Sequence, residues 1–149
     1  MTQKEQAATA FSSGEVTLID ADITGSNELG YSGSYEVWEY NTTGLIYLGF
    51  QTAHGVCQDP EVRQAIAKAI DRSYVTDSVY ARHATASTLP VHPDSALYDA
   101  ELAQELEYDL SALKALELNR KSLTLLVNIE DMAKSAAANR IAEDLESAG

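Results

Sequence analysis

DPEVRQAIAKAIDRSYV, Asp59 to Val75, is the stretch whose reading decides the fold. Asp59 is a good helix N-cap, and Pro60 falls at the first helical position, where a missing N–H costs nothing. Val62, Ile66, Ala69 and Ile70 then recur on one face at helical spacing, with Arg63 and Lys68 pointing elsewhere. That face is expected to pack against the sheet, which small alanines let it approach closely. Asp71 can cap a second short helix carrying Tyr74, Val75 and Val79. The stretch has no His, no Cys and no nucleophile on its inner face, so its work is structural.

Upstream, Ala7, Ala8, Ala10 and Phe11 read as a short helix stopped at Gly14, the place of a C-cap glycine. Val16, Leu18 and Ile19 follow as a strand, and the Gly- and Ser-rich TGSNELGYSGS, residues 24–34, as loop. Tyr35, Val37 and Glu39 alternate with Glu36, Trp38 and Tyr40 as in a half-buried strand. NTTG, Asn41 to Gly44, breaks or bends it. LIYLGF, residues 45–50, then suits a strand covered on both faces.

Downstream, ATASTLPVHPDSALYD, residues 84–99, has no period and reads as an extended loop. DAELAQELEYDLSALKALELN, residues 99–119, is helical by propensity and divides in two if Asp109 or Ser111 caps the second half. KSLTLLVN, residues 121–128, reads as a strand. The last element is a helix with Met132, Ala136, Ile141 and Leu145 inward, ending at Gly149. Strands alternating with helices predict an α/β fold, a mixed sheet flanked by helices, in a single domain over residues 1–149. The series closes on a helix that no strand follows, and it opens within a helical pattern, so the domain is expected to be excised from a longer chain.

Charge and composition narrow the function. The 149 residues are 45% hydrophobic and 22% charged, values of an ordinary globular protein. A chain of this length buries roughly 68–70% of its unfolded surface. The net charge is −13, and the first fifty residues set one basic side chain, Lys4, against Glu5, Glu15, Asp20, Asp22, Glu28, Glu36 and Glu39. Nucleic acid and anionic membrane surfaces need clustered cations, so neither is an expected partner. No apolar run approaches the ~20 residues that span a bilayer, and the start lacks the apolar core of a signal peptide.

Candidate chemistry is sparse. His54 and Cys57 in HGVC could form a nucleophilic pair or half a metal site. No second cysteine exists to complete a metal site or a disulfide, and His83 and His92 lie in or beside the proline loop, so a loop His and a loop Cys is the simpler reading. Asp20 to Asp22 and Glu130–Asp131 lack the oxygen pattern of a calcium loop and read as a strand end and a helix cap. Glu101, Glu105, Glu107 and Asp109 form a solvated helix surface or a partner surface. Trp38, Tyr40 and Tyr47 surround Asn41, Thr42, Thr43 and Gly44, and either line a ligand cleft or pack in the core. Phosphate-loop, dinucleotide and hydrolase signatures do not occur. The expectation is a binding protein without catalysis, metal or other cofactor.

Taken in order, SGEVTLID, YEVWEYNTTGLIYLGFQT and DPEVRQAIAKAIDRSYV resemble successive signatures of the family 5 extracellular solute-binding proteins, the peptide-, dipeptide- and nickel-binding receptors of ABC importers. Asp59, Val62, Arg63, Ala65, Ala69, Ile70, Asp71 and Arg72 carry the most specific part. Thr85 to Pro93 loosely matches the family's proline loop. YDLSALKALE, KSLTLLVN and AAANRIAEDLESAG resemble its later helix, strand and helix. Gln51 replaces a usual asparagine, and Asn119–Arg120 a glycine-containing turn. The resemblance implies one lobe of a two-lobed, type II periplasmic-binding-protein-like receptor, of which the chain is part of the second lobe. It implies an extracellular or periplasmic protein, lipid-anchored or free, with an ABC-transporter permease as partner of the full-length chain and a peptide-like solute as ligand. Asn41, Thr42, Thr43 and Gly44 are then the expected ligand-binding wall. The alternatives are a protein-interaction module with an acidic helical surface, and a small hydrolase using Cys57.

Overall fold

The computed structural model describes residues 3–21, 33–118 and 121–148. Among the described residues six α-helices run in order: α1 (Gln3–Ser12), α2 (Pro60–Ala69), α3 (Arg72–Tyr74), α4 (Ala100–Glu105), α5 (Leu110–Ala115) and α6 (Met132–Ser147). A 3₁₀ turn at Val56–Gln58 precedes α2, and a π-helical turn at Val75–Val79 continues α3.

Local chemistry sets these boundaries. The Asp59 carboxylate accepts from the Glu61 N–H at 2.9 Å, and Pro60 opens α2. Asp71, Asp99, Asp109 and Asp131 cap α3, α4, α5 and α6 in the same way, each accepting main-chain N–H groups of the first turn. Gly14 ends α1 at φ 76°, a left-handed conformation that glycine adopts without a Cβ penalty. The N–H groups of Gly14 and Glu15 then return to the carbonyls of Phe11 and Ala10, which closes the helix end.

The core sits where α2 lies on α5 and on the 3₁₀ turn. Cys57, Val62, Ala65, Ile66, Ala69 and Leu113 are buried together, and Leu48, Phe50, Leu110, Leu116 and Leu145 pack around them. Ile66 is the only large side chain under 2% exposed among the described residues. The Asp109 N–H donates to the Lys68 carbonyl at 2.8 Å and pins the start of α5 to the end of α2. Arg63 donates to the carbonyls of Cys57 and Gln58 at 2.8 and 2.9 Å, so it locks the 3₁₀ turn to α2.

A second contact seats α6 on the π-helical turn. Asp144 is buried, accepts from Arg140 Nε at 2.8 Å and from the Asp71 N–H at 3.5 Å. The Arg140 guanidinium also lies 3.9 Å from the centre of the Tyr74 ring. Burial works against its charge, yet the hydrogen bond and the charge of Asp144 hold its pKa above the ordinary value.

The expected mixed sheet is overturned: no strand occurs among the described residues. Residues 36–50 and 122–127 form no regular element, and none of their main-chain groups bonds another main-chain group among the described residues. An alternating side-chain pattern specifies extended backbone, whereas a strand also requires a second segment presenting its N–H and C=O groups in register. Here α2 therefore packs on α5 and not on a sheet. Trp38, Tyr40 and Tyr47, candidates for core aromatics, are exposed, Trp38 to 86%. Val16 and Leu18 are exposed for the same reason.

The inner face of α6 also differs from expectation. Met132 is 83% exposed and Ala136 is exposed, while Ala137, Ala138 and Asp144 are buried and Ile141 and Leu145 are half-buried. The buried stripe follows Asp144, whose carboxylate has partners on two elements, so a polar residue sets the helix's rotation. The Arg63 side chain bonds carbonyls, and the Arg72 side chain bonds neither carbonyl nor carboxylate among the described residues. The loop expected over 24–34 lies largely, and Asp22, Asn119, Arg120 and Gly149 entirely, outside the described residues.

Candidate functional site

The irregular ribbon around Asn41–Gly44 is held by three tethers. Tyr40 donates its phenol O–H to Asp20 Oδ1 at 3.0 Å and so ties the ribbon to the segment after α1. Tyr35 meets Phe11 of α1 edge-on, with ring centres 6.1 Å apart and planes at 68°. On the other side, Glu39 Oε2 lies 3.7 Å from His83 Nδ1 in the loop that follows the π-helical turn. These contacts join residues far apart in sequence, which is why no local pattern could reveal them.

Asn41, Thr42, Thr43 and Gly44 are all exposed and belong to no helix, strand or turn. Gly44 has no positive φ, so its backbone conformation does not require glycine. Its N–H donates to Thr42 Oγ1 at 3.4 Å, a side-chain bond within the segment, and the same oxygen lies 3.4 Å from where a Cβ on Gly44 would sit. The remaining main-chain groups of 41–44 face solvent without main-chain partners among the described residues. Exposed main-chain groups without partners can pair with those of another chain. Trp38, Tyr40 and Tyr47 flank it with exposed rings, and Glu36 accepts from Trp38 Nε1 at 3.4 Å.

Acidic groups dominate the electrostatics here. The Tyr40 phenol is held above its ordinary pKa because its proton is shared with Asp20, whose charge opposes a second negative charge beside it. Asp20, Glu36 and Glu39 thus surround the aromatic ribbon, with His83 the facing titratable base.

The other candidates separate. Cys57 is buried in the core cluster and His54 is exposed, an arrangement that withholds the thiol from any substrate. Among the described residues no group of three or more His, Cys, Asp or Glu side chains could hold a metal ion. Asp131 is a helix cap, as its position suggested. No helix of the described residues is long and apolar enough to cross a membrane.

The whole chain, residues 1–149, matches the family model described as "Bacterial extracellular solute-binding proteins, family 5 Middle". The chain belongs to this family. No curated protein and no solved structure gives a match. As a family 5 solute-binding protein it is one of a group that binds solutes outside the cytoplasm and does no chemistry on them. The motif Asp59–Arg72 that carried the resemblance is, in the folded solute-binding protein, the core helix α2 with its cap and the start of α3.

Proposed function

We propose that the chain captures a peptide-like solute for import by an ABC transporter, and that Asn41, Thr42, Thr43 and Gly44 form one wall of the cleft that holds it. The carrying observation is the exposed backbone of 41–44, without main-chain partners among the described residues, in a member of a solute-binding family. An oligopeptide or dipeptide can pair its main chain with such a segment, while the rings of Trp38, Tyr40 and Tyr47 take its side chains. Acidic Asp20, Glu36 and Glu39 favour a ligand whose free amino group is charged.

In this reading residues 1–149 are part of the second lobe of a two-lobed receptor, extracellular or periplasmic, anchored as a lipoprotein or free, that docks on a permease. One wall cannot enclose the 70–90% of a ligand's surface that a closed pocket covers. The chain by itself should therefore bind peptide weakly, and the receptor that contains it tightly. Calorimetry with a tripeptide on that receptor tests the assignment. Thr43→Trp should weaken binding, since a bulky indole occupies the wall, while shifting the stability of residues 1–149 by less than about 0.5 kcal/mol, as surface substitutions do. Unaltered affinity would place the site elsewhere, and strong destabilisation would make Thr43 a packing residue.

A further inference from the structure

A cleft of about 380 Å³ opens beside α2's C-terminus, lined among others by Ile70, Arg72, Thr88, Tyr98, Glu107 and Tyr108. It shares no residue with the 41–44 segment. The loop after the π-helical turn forms one side and is held in shape by Ser87, whose hydroxyl reaches the carbonyls of Leu89 and Val91 at 2.7 and 3.0 Å. Thr88 Oγ1 and the Tyr98 hydroxyl lie 3.3 Å apart and share one hydrogen bond, which leaves the pair a further donor.

Arg72 differs here from the other partly buried arginines. Arg63 is bonded to two carbonyls and Arg140 to a carboxylate. Arg72 is half-buried, and its carbonyl accepts from the Val75 N–H, yet its side chain makes no hydrogen bond and no ion pair among the described residues. The acids of the same cleft leave it unpaired: Asp71 accepts from the Tyr74 N–H at 2.9 Å as a helix cap, and Glu107 is exposed at the rim. Burial holds the guanidinium below its ordinary pKa, against the pull of Tyr98. It remains a cation at any physiological pH. A charged group stripped of part of its water, with five donors and no protein acceptor, is suited to an acceptor from outside.

We propose that this cleft is a second ligand site, in which Arg72 holds a small monocarboxylate through paired N–H···O bonds. The planar fork of the guanidinium matches a carboxylate in two parallel bonds, and the Thr88–Tyr98 pair supplies a further donor to it. Ile70 and the rings of Tyr98 and Tyr108 offer apolar surface for a short hydrocarbon tail. Asp71 and Glu107, in a chain of net charge −13, repel an anion of higher charge, so the site selects a single negative charge. The volume is at the lower end of small-molecule pockets, which run from about 300 to 1,000 Å³.

The test is an NMR titration of the full chain with sodium butyrate, following the Arg72 side-chain Nε–H resonance, assigned by its loss in Arg72→Lys. Sodium chloride at equal ionic strength and inorganic phosphate serve as controls. The expected result is a saturable shift with butyrate, no saturable shift with chloride, and affinity for phosphate lower by about tenfold. Arg72→Lys should weaken butyrate binding by about tenfold, because an ammonium cannot form the paired bonds. Thr88→Val should weaken it severalfold with the helical circular dichroism unchanged, and this variant decides the matter if Arg72→Lys does not fold. Thr43→Trp should leave the butyrate titration unaltered, which separates this site from the peptide wall. A shift that tracks ionic strength alone, tighter binding of phosphate, or affinity indifferent to Thr88→Val would overturn the assignment.

Discussion

Truncation of Ile66 to alanine is the sharpest probe of the helical core. Ile66 is 1% exposed and lies between α2 and α5 among Val62, Ala65, Ala69 and Leu113. The substitution removes three buried carbons, about 2.4 kcal/mol at about 0.8 kcal/mol each. A residual cavity adds to this, and measured Ile→Ala losses in cores run from about 2 to 5 kcal/mol. Two features of the site place the value near 3. Its neighbours on α2 are Val62 and two alanines too short to fill the space, so a void persists; α5, only Leu110–Ala115, is short enough to settle partly into it. With a urea slope of about 2 kcal/mol/M, a loss of about 3 kcal/mol lowers the midpoint by about 1.5 M. Ile129→Ala is the control: Ile129 is 82% exposed and its truncation should change stability by less than about 0.5 kcal/mol. Urea unfolding of both variants, followed by circular dichroism, reads the difference. If the two midpoints moved equally, or Ile66→Ala did not move at all, α2 would not be the core helix described here.

Three further outcomes follow from the caps and the ribbon. Asp59→Ala should cost about 0.5–2 kcal/mol in urea unfolding, the range for a lost N-cap, and Asp59→Asn much less, because the amide oxygen can still accept from Glu61. Asp131 has its pKa lowered, first by the Lys134 N–H and then by the Lys134 side chain at 3.0 Å. Its stabilising effect is thus complete above the ordinary carboxylate range and fades as pH falls through the depressed folded value, so Asp131→Asn should flatten the acid limb of a stability–pH curve. The raised pKa of Tyr40 works the other way: its contribution is present below the ordinary phenol value and is lost as pH rises through the folded one. Asp20→Asn should bring the Tyr40 titration, followed by ultraviolet absorbance, back toward that of a free tyrosine; no change would mean that the 3.0 Å bond is not formed in solution.

The sequence by itself determined what lies within one or two turns of chain. Asp59, Asp71, Asp109 and Asp131 announce their helices because a cap acts on the next three N–H groups, and each helix begins beside its cap. The face Val62, Ile66, Ala69, Ile70 is buried as its spacing required, and the ordered motifs around it suffice for the family. What covers that face was beyond local reading, since periodicity states that a surface is hidden and not by which partner. Strand identity failed for the same reason: residues 35–40, 45–50 and 121–128 carry the alternation or the apolar run, but pairing is a property of two segments. The tertiary structure alone decided that Asp144 and not Met132 turns inward, because its partners Arg140 and the Asp71 N–H meet only once α6 lies on the π-helical turn. It alone brought Asp20 to Tyr40 and set Arg72 in a cleft with Thr88 and Tyr98, contacts across stretches of chain whose closure no residue type or spacing encodes.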